Sequence, residues 1–176
     1  MPDPKPAAQS RIEVAHLVMP SDANPGGTAF GGVVMAWTDL AASMAAMRHA
    51  RVPVVTASID QLSFLAPVRI GQIALLTAQV NAVFATSMEI GVEVVTEDPG
   101  TGERRKCCDA FLTFVAIGPD GKPARVPPLR PESPEERRRE QEACLRRQAR
   151  LALRERLRAP GQAPAGAEAA PGRLFP

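Results

Sequence analysis

The sequence predicts an α+β fold: an antiparallel sheet wrapped around a long central helix, plus a charged C-terminal helix. Three observations predict it. Residues 30–49 contain no proline and are rich in Ala and Met, with Leu40 among them, which favours a helix. After Pro53 the residues become β-branched in strand-length pieces, 54–65, 73–83, 88–96 and 105–117. Between the later pieces lie Asp98-Pro99-Gly100-Thr101-Gly102 and, after the last, Gly118-Pro119-Asp120-Gly121, residues suited to turns. One helix followed by hairpin-connected strands packs as helix against sheet.

Each element has its own warrant. Residues 1–9 are Pro-rich and polar and are expected to be disordered. Residues 11–19 suit a short entry strand, followed by a loop through Pro20, Pro25 and the glycines. Apolar residues occupy most faces of the central helix, so it should be buried nearly all round. Met88, Ile90, Val92 and Val94 alternate with Glu89, Gly91 and Glu93, the period of two of a half-covered sheet. No internal repeat is present, so residues 10–130 read as one unit rather than a tandem. Ser133, Pro134 and Glu136 supply an N-cap, a first-turn proline and a capping-box acid. Residues 131–158 therefore read as a charged, solvated helix. Residues 159–176, rich in Ala, Gly and Pro, read as a disordered tail.

Bulk properties exclude several classes. The chain has 176 residues and a net charge of +2, enough for one domain plus an extension and no electrostatic argument for a partner. Cys107, Cys108 and Cys144 have no metal-ligand spacing, and an adjacent pair in an odd count fits a reducing compartment. The Pro-rich N-terminus lacks the apolar core of a signal peptide, and no apolar run reaches bilayer length. The expectation is a cytoplasmic protein without membrane insertion. Arginines between 137 and 158 are interleaved with Glu and lack aromatics, which argues against nucleic-acid binding.

The stretch from Asn24 to Ala42 carries the most information. A loop with Asn24, Gly26 and Gly27 runs into Phe30-Gly31-Gly32 and then an apolar helix holding one acid, Asp39. A carboxylate on such a helix is costly unless paired or used. This pattern resembles the active-site segment of hotdog-fold acyl-CoA thioesterases, the YciA-like and cytosolic acyl-CoA hydrolase group. Further matches extend from Met19 to Pro128, among them Val55-Thr56-Ala57-Ser58-Ile59-Asp60 and Phe64-Leu65-Ala66-Pro67-Val68. The chain departs from the pattern at Pro25, Ala66 and Gln72, where many relatives carry His, Arg and Asp. The resemblance implies a hotdog fold, a dimer with composite interface sites, and assembly to a tetramer or a hexamer built as a trimer of dimers.

Thioester hydrolysis needs an activated water or a nucleophile, and polarisation of the carbonyl oxygen. Asp39 would act as general base or attack directly to give an anhydride, and the sequence leaves both open. The Gly31-Gly32 step at the helix start offers backbone N–H groups and a positive dipole end, an oxyanion hole. Asp39 lies eight residues past Gly31, roughly 12 Å along a helix. One carbonyl carbon cannot meet both groups at about 3.5 Å, so Asp39 of one chain would work with Gly31 of another. Asn24 would come from the Gly31 side and hold the water or the carbonyl.

In the family, the segment matching Phe64 lies near the acyl and pantetheine path, and the one matching Thr86-Ser87-Met88 lines the CoA groove. Phosphates of CoA call for basic residues, for which Arg104 and Arg105, with Lys106 and Arg69, are the candidates. No metal or separate cofactor is expected. Neither His16 nor His49 stands at the spacing from Asp39 that hotdog dehydratases use, and Trp37 reads most simply as core. The competing reading is a non-catalytic acyl-CoA-binding module, which would keep the fold and lack the acid.

Overall fold

The computed structural model describes residues 3–157, and over these the chain runs β1 (Lys5–Pro6), β2 (Ile12–Leu17), α1 (Gly31–Ala50), β3 (Val54–Phe64), β4 (Ile73–Phe84), β5 (Ser87–Glu97), β6 (Arg104–Ala116), β7 (Leu129–Arg130) and α2 (Pro134–Leu157). Five strands form one antiparallel sheet in the order β2-β4-β5-β6-β3. This is the hotdog arrangement that the sequence predicts, with α1 held in the concave face.

Alternation builds the core. Met88, Ile90, Val92 and Val94 of β5 are buried toward α1, as are Ala110, Leu112 and Phe114 of β6. Opposite them α1 presents Val34, Ala41, Ala42, Ala45 and Ala46, small residues that let the helix lie close to the sheet. Its C-terminus stops at Arg51, which turns left-handed at φ 61° and donates its N–H to Met47 O at 2.8 Å. Contrary to the expectation from its apolar faces, the helix is not buried all round: Met35, Leu40 and Met47 remain 39%, 54% and 42% exposed on one side. Trp37, expected in the core, is half-buried and stacks on His16 with ring centroids 4.9 Å apart.

Disorder over residues 1–9 is not found from Lys5 onward. Lys5–Pro6 pairs in parallel with Leu129–Arg130, and Ala7 is buried. Ser10 Oγ accepts the Val80 N–H at 3.0 Å, just beyond the last β2–β4 pair, Ile12 with Ala78. The polar composition hid this segment's role, which is to satisfy backbone groups that the short β2 leaves open.

The helix α2 starts at the capping box read from the sequence: Glu136 N–H donates to Ser133 Oγ at 3.1 Å, and Ser133 N–H donates to Glu136 Oε2 at 3.2 Å. It is not merely solvated, because it lies on the convex face of its own sheet. Ala143 is fully buried, and Arg146 grips the buried Glu89 through two hydrogen bonds of 2.7 and 3.1 Å while covering the Phe111 ring at 3.7 Å. Arg150 pairs with Asp60 and donates to Thr113 Oγ1 at 2.9 Å. The expected tail, 159–176, and Arg158 lie outside the described residues. No helix among the described residues is long and apolar enough to cross a membrane.

Candidate active site

The loop before α1 is shaped by Asn24. Its Oδ1 accepts N–H groups from Gly26 at 2.9 Å and Thr28 at 3.4 Å, and its Nδ2 donates to Thr28 Oγ1 at 3.0 Å. Gly27 takes φ 75° inside this turn, a conformation that glycine adopts without cost. One of the two Nδ2 hydrogens of Asn24 remains for another acceptor. The loop is tied to the sheet side by the Ala29 N–H, which donates to Val68 O at 2.7 Å.

Phe30 O accepts the N–H groups of Val33 and Val34. The N–H groups of Gly31 and Gly32 precede them in the first turn and have no intrahelical acceptor. Gly31 borders a cleft of about 440 Å³ lined by Thr28, Val34, Phe64, Leu65, Ala66 and Pro67 among others. A Cβ at Gly31 would stand 3.4 Å from the Phe64 ring, whereas one at Gly32 meets open space. Of the glycine pair, Gly31 is the one whose missing side chain keeps the cleft open. The nearby Cys108 thiol is pushed up to about 11 by burial and then by Asp109, so it stays protonated and is a poor nucleophile at neutral pH.

Asp39 does not line this cleft. It sits half-buried in the middle of α1, and its Oδ1 accepts a hydrogen bond from Thr56 Oγ1 of β3 at 2.8 Å. Among the described residues no donor reaches Oδ2, so that oxygen is available to a water or a substrate. Sequence reasoning quoted Thr56 only within a matching strand and gave it no role. Strand periodicity shows which face a hydroxyl takes, but not which helix residue lies opposite.

Register separates the remaining candidates into two groups. Ser87 pairs with Val115, which pairs with Val55, so Thr86 and Ser87 lie at the Thr56 end of the sheet. Phe64 pairs with Cys108, and Arg105 with Thr96, so Arg104 and Arg105 lie at the Gly31 end. One chain thus brings Gly31 to Phe64 and Asp39 to Thr56, but does not unite the two sets. Met88 is a correction: it is 0% exposed in the core beneath α1, because the period of two turns it inward, and it offers no surface to a ligand. Arg104 is engaged with Glu97 at 2.6 Å, and Lys106 with Glu93 and Asp109. The Arg69 backbone bridges to Thr28, beside the Asn24 loop.

A helix that carries an acid inside a curved antiparallel sheet, and begins at an open glycine cleft, defines a hotdog-type thioesterase. Comparison with known proteins agrees. Residues 26–103 match the Thioesterase superfamily model. The uncharacterized acyl-CoA thioester hydrolase YkhA of Bacillus subtilis is 40% identical over 135 residues, 77% of this chain and 78% of that protein. An apo hexameric acyl-CoA thioesterase superposes with a TM-score of 0.84 at 40% identity, covering 89% of this chain and 99% of that one. The acyl-CoA hydrolase of Staphylococcus aureus, solved with butyryl-CoA and CoA, gives 0.81 at 36% identity over 86% and 93%. That enzyme has also been solved with an Asn, an Asp and a Thr replaced by Ala, at positions fifteen and seventeen residues apart in turn. The chain spans only 25% of the mouse acyl-coenzyme A thioesterase 11, which it matches at 38% identity. The chain belongs to the acyl-CoA thioester hydrolase family of the thioesterase superfamily.

Proposed function

We propose that this protein hydrolyses acyl-CoA thioesters to a free fatty acid and CoA, at sites each shared by two copies of the chain. The observation that carries the reading is the separation of the two halves. Asp39 with Thr56 stands about 12 Å along α1 from the Gly31 cleft, too far for one carbonyl carbon to touch both. The spacing of Asn24, Asp39 and Thr56 equals that of the three positions replaced in the Staphylococcus aureus enzyme, which supports a joint role.

The edge strand supplies a way to unite the halves. β3 is an edge strand of eleven residues, and a long unpaired edge invites another strand. If two copies pair antiparallel about the midpoint, Ile59, the Phe64 end of one lies beside the Val54 end of the other. Gly31 and Phe64 of one copy then face Asp39 and Thr56 of its partner. The exposed Met35, Leu40, Met47 and Ile59 lie on the side that such pairing covers. Further association of dimers, as in the hexameric relatives, completes the assembly.

In this site the Gly31 N–H and the free Asn24 amide hydrogen polarise the thioester carbonyl. Asp39, held by Thr56, serves as base to water or as nucleophile. When Asp39 acts as base, it takes a proton from water as the hydroxyl adds to the carbonyl carbon; the tetrahedral centre collapses, the C–S bond breaks, and the CoA thiolate receives that proton. When Asp39 is the nucleophile, the same collapse leaves an acyl anhydride on Asp39, which water hydrolyses to the free acid, restoring the carboxylate and supplying the proton for the thiolate. Phe64 borders the acyl and pantetheine path. Thr86 and Ser87, and Arg104 and Arg105 from the other copy, bracket the CoA end. All of these steps use protein groups, with CoA as part of substrate and product, and the reaction is assigned to the cytoplasm.

Thiol release from short, medium and long acyl-CoAs tests the reading with the wild type and Asp39→Asn. Turnover that falls by orders of magnitude in the variant supports hydrolysis. Saturable acyl-CoA binding with no turnover by the wild type on any chain length would move the assignment to a binding module.

A further inference from the structure

The sheet-facing stripe of α2 does not end where the sheet ends. Ala143, Arg146, Arg150, Leu153 and Leu157 follow one another at steps of three and four, a single face of the helix. The first three meet the sheet: Ala143 is buried, Arg146 holds Glu89 of β5, and Arg150 holds Asp60 of β3. Since β3 is the last strand of the sheet, the stripe has crossed to the edge by Arg150. Beyond it Leu153 is 58% and Leu157 76% exposed, and these two line an open recess with Arg150 and Arg154. Two turns of helix therefore present leucines on the face that should bear on something, with no strand beneath them among the described residues.

The geometry points to a second copy of this chain as the occupant, specifically the end of its own α2. Asp60, under Arg150, is one residue from the β3 midpoint about which two copies would pair. The two-fold axis thus passes close to Arg150 on the convex face, and the α2 helices of both copies converge there. Symmetry makes that contact isologous, Leu153 and Leu157 of one helix against the same residues of the other. Each α2 then acts as an arm reaching over the interface, clasping from the convex side the dimer whose concave side holds the shared sites. This inference rests on the edge pairing proposed above, and it adds a contact that the pairing alone does not require.

The test is sedimentation over a range of concentrations with the 176-residue wild type, the Leu153→Glu/Leu157→Glu double variant and Leu151→Glu. Leu151 is exposed but off the stripe, about 200° round the helix from Leu153, and serves as the control for added charge. The account expects the dimer dissociation constant of the double variant to rise at least about tenfold. Leu151→Glu should stay within about twofold, all three keeping the far-ultraviolet circular dichroism of the folded chain. An unchanged constant in the double variant, with a dimeric wild type, overturns the arm and leaves the edge pairing standing. A wild type that stays monomeric overturns both. Loss of a higher assembly with dimer affinity intact would place the stripe between dimers and overturn the assignment. So would faster proteolysis within residues 158–176 without any change in association, which would make that segment the occupant.

Discussion

Thr56 Oγ1 donates a hydrogen bond of 2.8 Å to Asp39 Oδ1, tying the edge strand to the only acid of the central helix. The contact fixes one carboxylate oxygen and leaves the other for chemistry. Thr56→Val should therefore lower kcat by about tenfold or more with a smaller change in KM, since one lost hydrogen bond to a charged group is worth roughly 1.5–3 kcal/mol. Thr56→Ser should recover most of the rate. Steady-state thiol release on one acyl-CoA measures all three, and a Val variant with unchanged kcat would remove Thr56 from the site.

Gly31 and Phe64 meet at the cleft, where an added Cβ would stand 3.4 Å from the ring. Gly31→Val fills that space and blocks approach of the thioester to the backbone N–H. We expect kcat/KM to fall about a hundredfold or more, in line with loss of an oxyanion donor. Gly32→Ala, which projects into open space, should be far milder in the single chain's own fold, as read by thermal melting. Equal thermal destabilisation in the two variants would show that the Gly31 effect is structural.

Glu89 is buried and held by Arg146. Arg146→Ala removes the counter-charge, the arginine's cover on Phe111 and a tether of α2, and leaves the buried carboxylate with the Asn81 Nδ2 hydrogen bond at 3.1 Å as its remaining side-chain partner. Urea unfolding should show a loss of about 3 kcal/mol. Arg138→Ala, on the exposed side of α2, should leave the unfolding midpoint nearly unchanged. If the two variants unfold alike, α2 is not anchored through Glu89.

His49 makes stability depend on pH. Its Nε2 donates to Pro127 O at 2.9 Å, and its buried Nδ1 has no partner among the described residues. Burial lowers its pKa below the ordinary histidine value, against the opposing Pro127 hydrogen bond and with Lys5 adding to the lowering. The unfolded chain takes up this proton as pH falls through about 6.5, while the folded chain resists it, so unfolding becomes easier on acidification. The contribution is fully present above the unfolded value and is lost below it, at a slope of up to about 1.4 kcal/mol per pH unit. His49→Gln keeps a donor for Pro127 and should flatten the profile between pH 7 and 5. An unaltered slope would assign the acid sensitivity elsewhere.

Most of the hotdog was legible because its signals are local. Alternation along Met88–Val94, the capping box at Ser133, and the proline-free stretch beginning at Phe30 each report on a few neighbouring residues. The Asn24 loop and Asp39 were legible through the resemblance and through the cost of an acid on an apolar helix. What escaped was long-range. Thr56 gained a role only when β3 and α1 were seen side by side, and Met88 lost one when its strand's phase turned it inward. The order of residues 5–10 depends on a Val80 N–H, some seventy residues away, that β2 does not reach and Ser10 Oγ accepts, and the anchoring of α2 depends on Glu89 and Asp60 pointing out of the convex face.

The shared site is the central claim, and mixed dimers test it most directly. Chains carrying Asp39→Asn and chains carrying Asn24→Ala are each purified, shown to be nearly inactive, then unfolded and refolded together in equal amounts. Random pairing makes half the dimers mixed, each with one site intact and one doubly altered, so thiol release should return to about a quarter of the wild-type rate. If Asp39 and Asn24 served the same site within one chain, every site in the mixture would remain defective. Activity no greater than the sum of the two variants would then contradict the account.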